Sequence, residues 1–492
     1  MCRIKPVGGF SDNQAPVMLE LVASNSRLGY ADNHAMDDND SKDRWGERLP
    51  RRLGLWSTVA VLVGSTIGSG IFRTPAAIAG HVDNLFGFFA VWIVGGLVAL
   101  AGALTLAELA AAYPRSGGTY IYIREAFGRL PAFLFGWAQL LILRPASYGA
   151  ISITSSEYLW RVFGADGNAA FSLFPALSVA QVTAAAMIAI VGLINMRGVL
   201  LGAVLQNVST VLKVGALVAL VVLGLVLAPP LVEGAQVVAQ KTGGSGTLGT
   251  FGLALIAVLW AYDGWSDAGF VSGEVRDPQR VLPRAYILGT GGVVLLYLLA
   301  NLVYVRVVSL AGMPGSELVA ADVAFALFGP IGVTLVSAAV MVSTFGTLNG
   351  TMMTGPRVFY AMAEDRLLPG QLARIHPRHK SPATAVLLSM CLGIVFVSLR
   401  SFAELAEHFV VGIWPFYILA VAAVFVLRKR DPARERPYKV WGYPTVPALF
   451  LLASVALLGS YAWKQPATFA LNFGIIGSGI PVYWLAQKLM SK

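Results

Sequence analysis

Cysteine and charge are both scarce in this chain of 492 residues. Its 2 cysteines are Cys2, in a polar N-terminal stretch, and Cys391, inside an apolar run, so no extracellular disulfide framework is expected. Charged residues make up only 13% and hydrophobic residues 56%, with a mean hydropathy of +0.69, which excludes a soluble globular protein of this length. Of the 5 histidines only His376 and His379 are close together, and no acid or cysteine lies nearby to complete a metal site. A phosphate-binding Gly-Lys-Ser/Thr loop is absent, which argues against an ATP-driven motor. No catalytic constellation is visible either, so an enzyme is not expected, nor is a cofactor or metal.

The first 50 residues also lack a long apolar run, so they are neither a signal peptide nor a span. Rich in Asp, Asn and Ser, they read as a disordered tail. Beyond them lie twelve apolar runs of spanning length, at roughly 53–80, 87–112, 130–160, 177–196, 199–228, 248–273, 285–309, 329–355, 382–399, 407–427, 444–463 and 467–487. The fold class expected is an all-α polytopic membrane protein with 12 transmembrane helices. Lys and Arg alternate between the connecting segments. Arg51 and Arg52, Arg115, Arg124 and Arg129, and the group from Arg428 to Lys439 fall on one side, whereas Arg161, Lys241, Arg306, Arg400 and Lys464 fall on the other. The richer side is cytoplasmic, so both termini are expected in the cytoplasm of a cell (inner or plasma) membrane protein. The net charge of +10 follows from the same bias, and no nucleic-acid partner is implied. The partner is the lipid bilayer.

The first span is interrupted where it should be most regular. Gly64, Ser65, Thr66, Gly68, Ser69 and Gly70 sit in the middle of the run from Leu53 to Ala79. Free backbone groups are costly in hydrocarbon unless protein or a watery cavity satisfies them, so a broken span points to a binding site. The sixth span is broken as well, at Trp260-Ala261-Tyr262-Asp263-Gly264-Trp265-Ser266-Asp267. Five spans separate the two breaks, and an odd number sets the second unit in the opposite orientation, the pattern of a 5+5 inverted repeat. The pentapeptide Ile67–Ile71 recurs as Ile476–Ile480 in the last span, where close helix packing is the better reading.

The breaks suggest a ligand. An unwound turn at Gly68, Ser69 and Gly70 presents NH groups at the start of the next half-helix, a place for a carboxylate. Carbonyls near Thr66, Ile67, Trp260 and Ala261 end half-helices and suit an ammonium group. A zwitterionic amino acid satisfies both. Trp260, Tyr262 and Trp265 are aromatics that can close over a side chain, Trp260 being the leading gate. Lys213, near the centre of the fifth span, is placed to bond the freed carbonyls of the first span, taking the part a sodium ion plays in ion-coupled carriers. Asp263 either meets an ammonium group or couples to protons, or caps the broken turn. Glu108, Arg144, Glu157 and Asp267 are not assigned a role from sequence, beyond one or more of them belonging to structural pairs.

The chain resembles the amino acid-polyamine-organocation (APC) superfamily, and within it the L-type amino acid transporters. The motifs are Gly64-Ser65-Thr66-Ile67-Gly68-Ser69-Gly70-Ile71-Phe72 with Pro75, Ala107-Glu108-Leu109 with Ser116-Gly117-Gly118-Thr119-Tyr120-Ile121-Tyr122, and Ala261-Tyr262-Asp263-Gly264-Trp265 leading to Glu274-Val275-Arg276-Asp277-Pro278. Phe345-Gly346-Thr347-Leu348-Asn349-Gly350 and Arg436-Pro437-Tyr438-Lys439 continue the match. The resemblance implies a LeuT-like fold with broken helices 1 and 6, alternating access, and substrate held by the backbone of spans one and six, with Gly68, Ser69 and Gly70 at the carboxylate and Thr66, Trp260 and Asp263 around the ammonium group; with Ile67, Ala261 and Gly264 from the breaks themselves, these are the substrate-binding residues expected. It implies Lys213 as the sodium-site mimic and Trp260 as the gating aromatic. Animal members commonly have glycine in place of Asp263, and they join a heavy chain through a cysteine between spans three and four. No cysteine lies there, so no disulfide-linked heavy chain is expected.

The domains expected are a cytoplasmic tail over 1–50, a transport core over 51–430, and the last two spans with a short cytoplasmic C-terminus over 431–492. The function expected is secondary transport of amino acids by a sodium-independent exchanger or a proton-linked, uniporter-like carrier. The alternatives are a carrier of polyamines or other cationic amines, suggested by Asp263 and Asp267, and a nutrient sensor that has lost transport.

Overall fold

Apolar runs of about 20 residues become helices because a helix satisfies every backbone group within its own segment. The computed structural model describes residues 51–82, 84–197, 199–228, 247–316, 318–376, 379 and 381–490. The tail expected over 1–50, and the cations Lys42, Arg44, Arg48, Lys241, Arg378, Lys380 and Lys492, lie outside the described residues.

The first span is two helices, α1 (Leu55–Thr66) and α2 (Ser69–Ala79). After α3 (Leu85–Ala112) and the short α4 (Thr119–Phe127), the third span runs through α5 (Arg129–Ala138), one wide π turn at Gln139–Leu143, and α6 (Arg144–Val162). A small antiparallel ribbon, β1 (Ala170–Phe171) and β2 (Phe174–Ser178), departs from the all-α expectation. It is followed by α7 (Val179–Met196), α8 (Val199–Leu227), α9 (Thr247–Tyr262) and the single turn α10 (Asp267–Phe270). The remaining helices are α11 (Pro278–Val308), α12 (Val319–Thr354), α13 (Pro356–Glu364), α14 (Ala383–Leu399), α15 (Phe402–Arg430), α16 (Thr445–Lys464), α17 (Pro466–Gly477) and α18 (Gly479–Met490).

Among the described residues, 9 helical stretches are long and apolar enough to cross a membrane, and α14 and the Phe251–Tyr262 part of α9 are shorter apolar helices. The protein is a nearly all-helical, multi-pass membrane protein. The run expected over 130–160 is helical throughout yet is not among the 9, since α6 carries Arg144, Ser147, Ser152, Thr154, Ser155, Ser156 and Glu157. Its neighbours explain how it is tolerated: α6 packs against α7, α12, α14 and α15, so these groups face protein instead of lipid.

Three boundaries differ from the apolar runs. Helix α11 starts at Pro278 instead of 285, because a proline in the first turn has no NH to lose and two polar turns precede the apolar part. Gly329 (φ 64, ψ −156) leaves helical geometry just before Pro330, so α12 is two helices that meet at a kink where the run was expected to begin, and the first of them starts at Val319. Past the break in the sixth span only the four residues of α10 are α-helical, and a 3₁₀ turn at Ser272–Glu274 follows.

The last span is also divided, at Ser478, but Ser478 keeps helical angles (φ −59, ψ −20). A Cβ on Gly479 would lie 2.8 Å from Trp137 Cδ1 and 2.9 Å from Leu134 Cδ2. The repeated pentapeptide therefore lets α18 lie close on α5, and no opening results.

Candidate functional site

Glycine at each break is required by the other break. Ile67 (φ −74, ψ 88) and Gly68 (φ −130, ψ −141) leave helical geometry between α1 and α2. A Cβ on Gly70 would stand 2.4 Å from Ala261 Cα, so α2 and α9 meet backbone to backbone. Gly264 adopts φ 113, a region that disfavours other residues, and its Cβ would come within 2.7 Å of the Ser65 carbonyl carbon and the Thr66 nitrogen. The two interrupted spans are thus locked together in the middle of the bundle.

The carbonyls that α1 leaves behind are taken by side chains. Lys213 on α8, 1% exposed, donates from Nζ to Gly64 O at 2.8 Å, to Ile67 O at 3.0 Å and to Thr347 Oγ1 at 2.7 Å. Thr347 on α12 also lies within hydrogen-bond distance of both carbonyls, at 3.1 and 2.9 Å. Close approach of α8 and α12 depends on Gly346, whose Cβ would be 2.2 Å from Ser209 Oγ. The Thr66 carbonyl accepts from Tyr297 Oη at 2.9 Å. The Thr66 and Ile67 carbonyls, expected to face a ligand ammonium, therefore serve internal donors here.

A small cavity, about 40 Å³ open to the centres of water-sized molecules, lies where the breaks meet. Thr66, Gly68, Ser69, Gly70, Trp260, Asp263 and Gly264 line it, together with Ser65, Gln139, Arg144, Ser147, Asp267, Thr347, Thr351, Phe409 and Tyr417. Ile67 and Ala261 are buried behind its wall, Ile67 through its carbonyl on Lys213 and Ala261 against Gly70. Asp263 is half-buried, and its Oδ1 accepts from Tyr417 Oη at 2.7 Å.

Trp260 divides two spaces. Its ring stands edge-on to Phe402 and Phe409, with centroids 6.1 and 5.3 Å away. On its other side lies a larger cavity of about 500 Å³, lined by Arg73, His81, Phe402 and Glu407 among others. His81, in the loop after α2, is partly desolvated, which lowers its pKa below the usual 6.5 and leaves it neutral at pH 7. Tyr262 and Trp265 do not reach either cavity. Tyr262 stacks on Tyr297 at 5.3 Å, and Trp265 packs on Tyr417 at 4.8 Å. Their bulk fills the interface behind the break and leaves Trp260 alone at the partition.

The charged residues resolve into pairs. Arg144 Nη2 lies 3.6 Å from Asp267 Oδ1, with Phe270 beneath the guanidinium at 5.1 Å. Glu108, fully buried, accepts from Arg428 at 2.9 and 2.6 Å and from the Val440 amide at 2.8 Å. Glu157 pairs with Arg73. Among the described residues no three His, Cys, Asp or Glu side chains converge as a metal site.

Several lining residues were not singled out from sequence as site residues. Thr347 was within reach, since it stands in the Phe345–Gly350 motif. Gln139, Ser147, Thr351, Phe409 and Tyr417 carried no local signal.

The model of the amino acid permease family matches residues 53–486. The serine/threonine exchanger SteT of Bacillus subtilis (strain 168) is 32% identical over 444 residues, covering 89% of this chain and 98% of that protein. The b(0,+)-type amino acid transporter 1 of Homo sapiens is 32% identical over 441 residues, covering 89% and 88%. The cystine/glutamate transporter of Homo sapiens is 30% identical over 474 residues, covering 94% and 92%. This chain belongs to the amino acid permease family, whose members are membrane transporters and not enzymes.

Proposed function

We propose that the protein is an amino acid exchanger that works by alternating access around the cavity between the broken spans. One observation carries this reading: two spans, five apart in the chain, break at glycines that each seat against the backbone of the other span and open onto a single cavity. The α-carboxylate sits on the NH groups of Gly68, Ser69 and Gly70 at the start of α2, where the helix dipole favours negative charge. The ammonium group lies toward Asp263 and the carbonyls of α9. Relatives of comparable length carry the names of amino acid exchangers and transporters, which supports the same substrate class.

The membrane architecture we infer is 12 spans in a 5+5 inverted repeat of LeuT type with two further spans. Span two packs on span seven (α3 on α11) and span three on span eight (α6 on α12), so each lies against its counterpart in the other half. The third span, shielded by its neighbours, and the short α9 and α14 bring the 9 long apolar stretches to twelve. Both termini are cytoplasmic, residues 51–430 form the transport core, and residues 431–492 form the outer pair of spans. Transport is independent of sodium because the Lys213 ammonium already holds the carbonyls that would coordinate the ion. With no cysteine between spans three and four, no disulfide-linked heavy chain is required.

Asp263 and Asp267 on the cavity wall favour a second reading, a carrier of polyamines or cationic amines. Competition separates the two. An amino acid should displace labelled substrate whereas its decarboxylated amine should not, and the reverse order would establish the amine carrier.

A further inference from the structure

The π turn of the third span brings two unpartnered polar groups to one wall of the cavity. At 3.6 residues per turn, residues five apart lie about 140° apart around an α-helix, so Gln139 and Arg144 would diverge. The turn changes this. The Arg144 amide donates to the Gln139 carbonyl, an i to i+5 bond that stacks the two residues on one face, and both line the cavity. Gln139 is 2% and Arg144 4% exposed, yet among the described residues Gln139 Oε1 and Arg144 Nε have no hydrogen-bond partner.

A buried acceptor and a buried donor left unmade are both unfavourable. The Arg144 guanidinium is held in place by its neighbours. Asp267 Oδ1 lies beside the far side of the Arg144 guanidinium, Phe270 lies under it, and Asp267 Oδ2 is itself engaged by Thr354 Oγ1 at 3.1 Å. A molecule that enters the cavity can supply the missing groups.

We propose that Gln139 and Arg144 form the side-chain subsite, and that the substrates are α-amino acids with a small neutral side chain that both donates and accepts a hydrogen bond. This rests on the reading of the cavity as an amino acid site. A hydroxyl donates to Gln139 Oε1 and accepts from Arg144 Nε–H, and a primary amide does the same with its NH₂ and C=O. An aliphatic side chain satisfies neither group. A carboxylate has no proton for Oε1. An ammonium cannot accept from Arg144. The small volume of the cavity favours serine, threonine and asparagine over longer chains.

The test is counterflow of labelled serine in proteoliposomes of the full chain, with unlabelled serine, threonine, asparagine, valine, leucine and aspartate as competitors. Serine, threonine and asparagine should compete at concentrations at least about tenfold below those of valine or aspartate, since a site built to bond a polar group rejects the analogue lacking it. Gln139→Leu should bring the serine-to-valine ratio to within about threefold. Gln139→Met, which keeps the side-chain length, gives the same readout if the leucine variant does not fold, and the wild-type panel decides if neither does. Equal competition by valine and serine in the wild type, or an unchanged ratio in a folded variant, overturns the subsite alone. Absence of exchange with every amino acid overturns the exchanger and the subsite together.

Discussion

Lys213 and Thr347 meet over the broken end of α1, Nζ to Oγ1 at 2.7 Å, and both reach the same two carbonyls, Gly64 O and Ile67 O. Three helices are joined at this point by one ammonium group. Lys213→Ala removes charge-assisted bonds of about 1.5–3 kcal/mol each. It should lower exchange by tenfold or more, as expected for about 1.4 kcal/mol or beyond, while membrane insertion persists. Thr347→Val should do less, because Lys213 still holds both carbonyls. Uptake and surface abundance measured side by side check this, and normal exchange by Lys213→Ala would remove the sodium-mimic role.

Gly70→Ala and Gly264→Ala should each abolish exchange and lower the unfolding temperature. The new Cβ meets backbone in both cases, at 2.4 and 2.7 Å, and overpacking of this kind costs about 1–3 kcal/mol. Gly291 and Gly292, in the same protein and helical, have open space around a Cβ, so alanine there should be neutral or stabilising by up to about 1 kcal/mol. Thermal unfolding in detergent compares the four variants directly.

Trp260→Ala should join the 40 and 500 Å³ spaces by deleting the wall between them. Exchange then becomes leaky: efflux of preloaded amino acid into empty buffer rises toward the rate seen with external substrate. Trp265→Ala, whose ring packs in the core on Tyr417 and Phe450, should lower stability by about 3–5 kcal/mol without that change in the efflux ratio.

The residues just before α1 are tied to those just after the break in the sixth span. Arg52 N and Leu53 N bond to Glu274 O at 2.8 and 2.9 Å, and Arg276 N bonds to Leu53 O at 2.8 Å. Leu53→Pro removes one donor and should weaken this tie between the two broken spans, raising exchange-independent efflux. Deletion of residues 1–50 spares the strap and should leave uptake intact; loss of uptake on that deletion would favour the sensor reading.

Much of this arrangement is legible in the sequence because membrane burial punishes irregularity. Glycines and hydroxyls at 64–70 and acids at 263–267 interrupt apolar runs that otherwise have to be helical, so the positions of the breaks follow from composition alone. Lys213 stands out for the same reason. The third span hides its role. Its polar residues look like a flaw in a span until packing against α7, α12, α14 and α15 is known, and a π turn leaves no local mark that would set Gln139 beside Arg144. Tyr417 is equally silent, an aromatic in an apolar run whose hydroxyl matters only because α15 brings it 2.7 Å from Asp263. Tyr262 and Trp265 mislead in the opposite sense, since adjacency to the break in sequence does not put a ring in the cavity.

The most direct test of the central claim is efflux of preloaded labelled amino acid from proteoliposomes in sodium-free buffer, with and without amino acid outside. The account predicts rapid efflux only when an external amino acid is present, and its loss in Gly70→Ala. Efflux that is absent without sodium, or that proceeds equally into empty buffer, would contradict it.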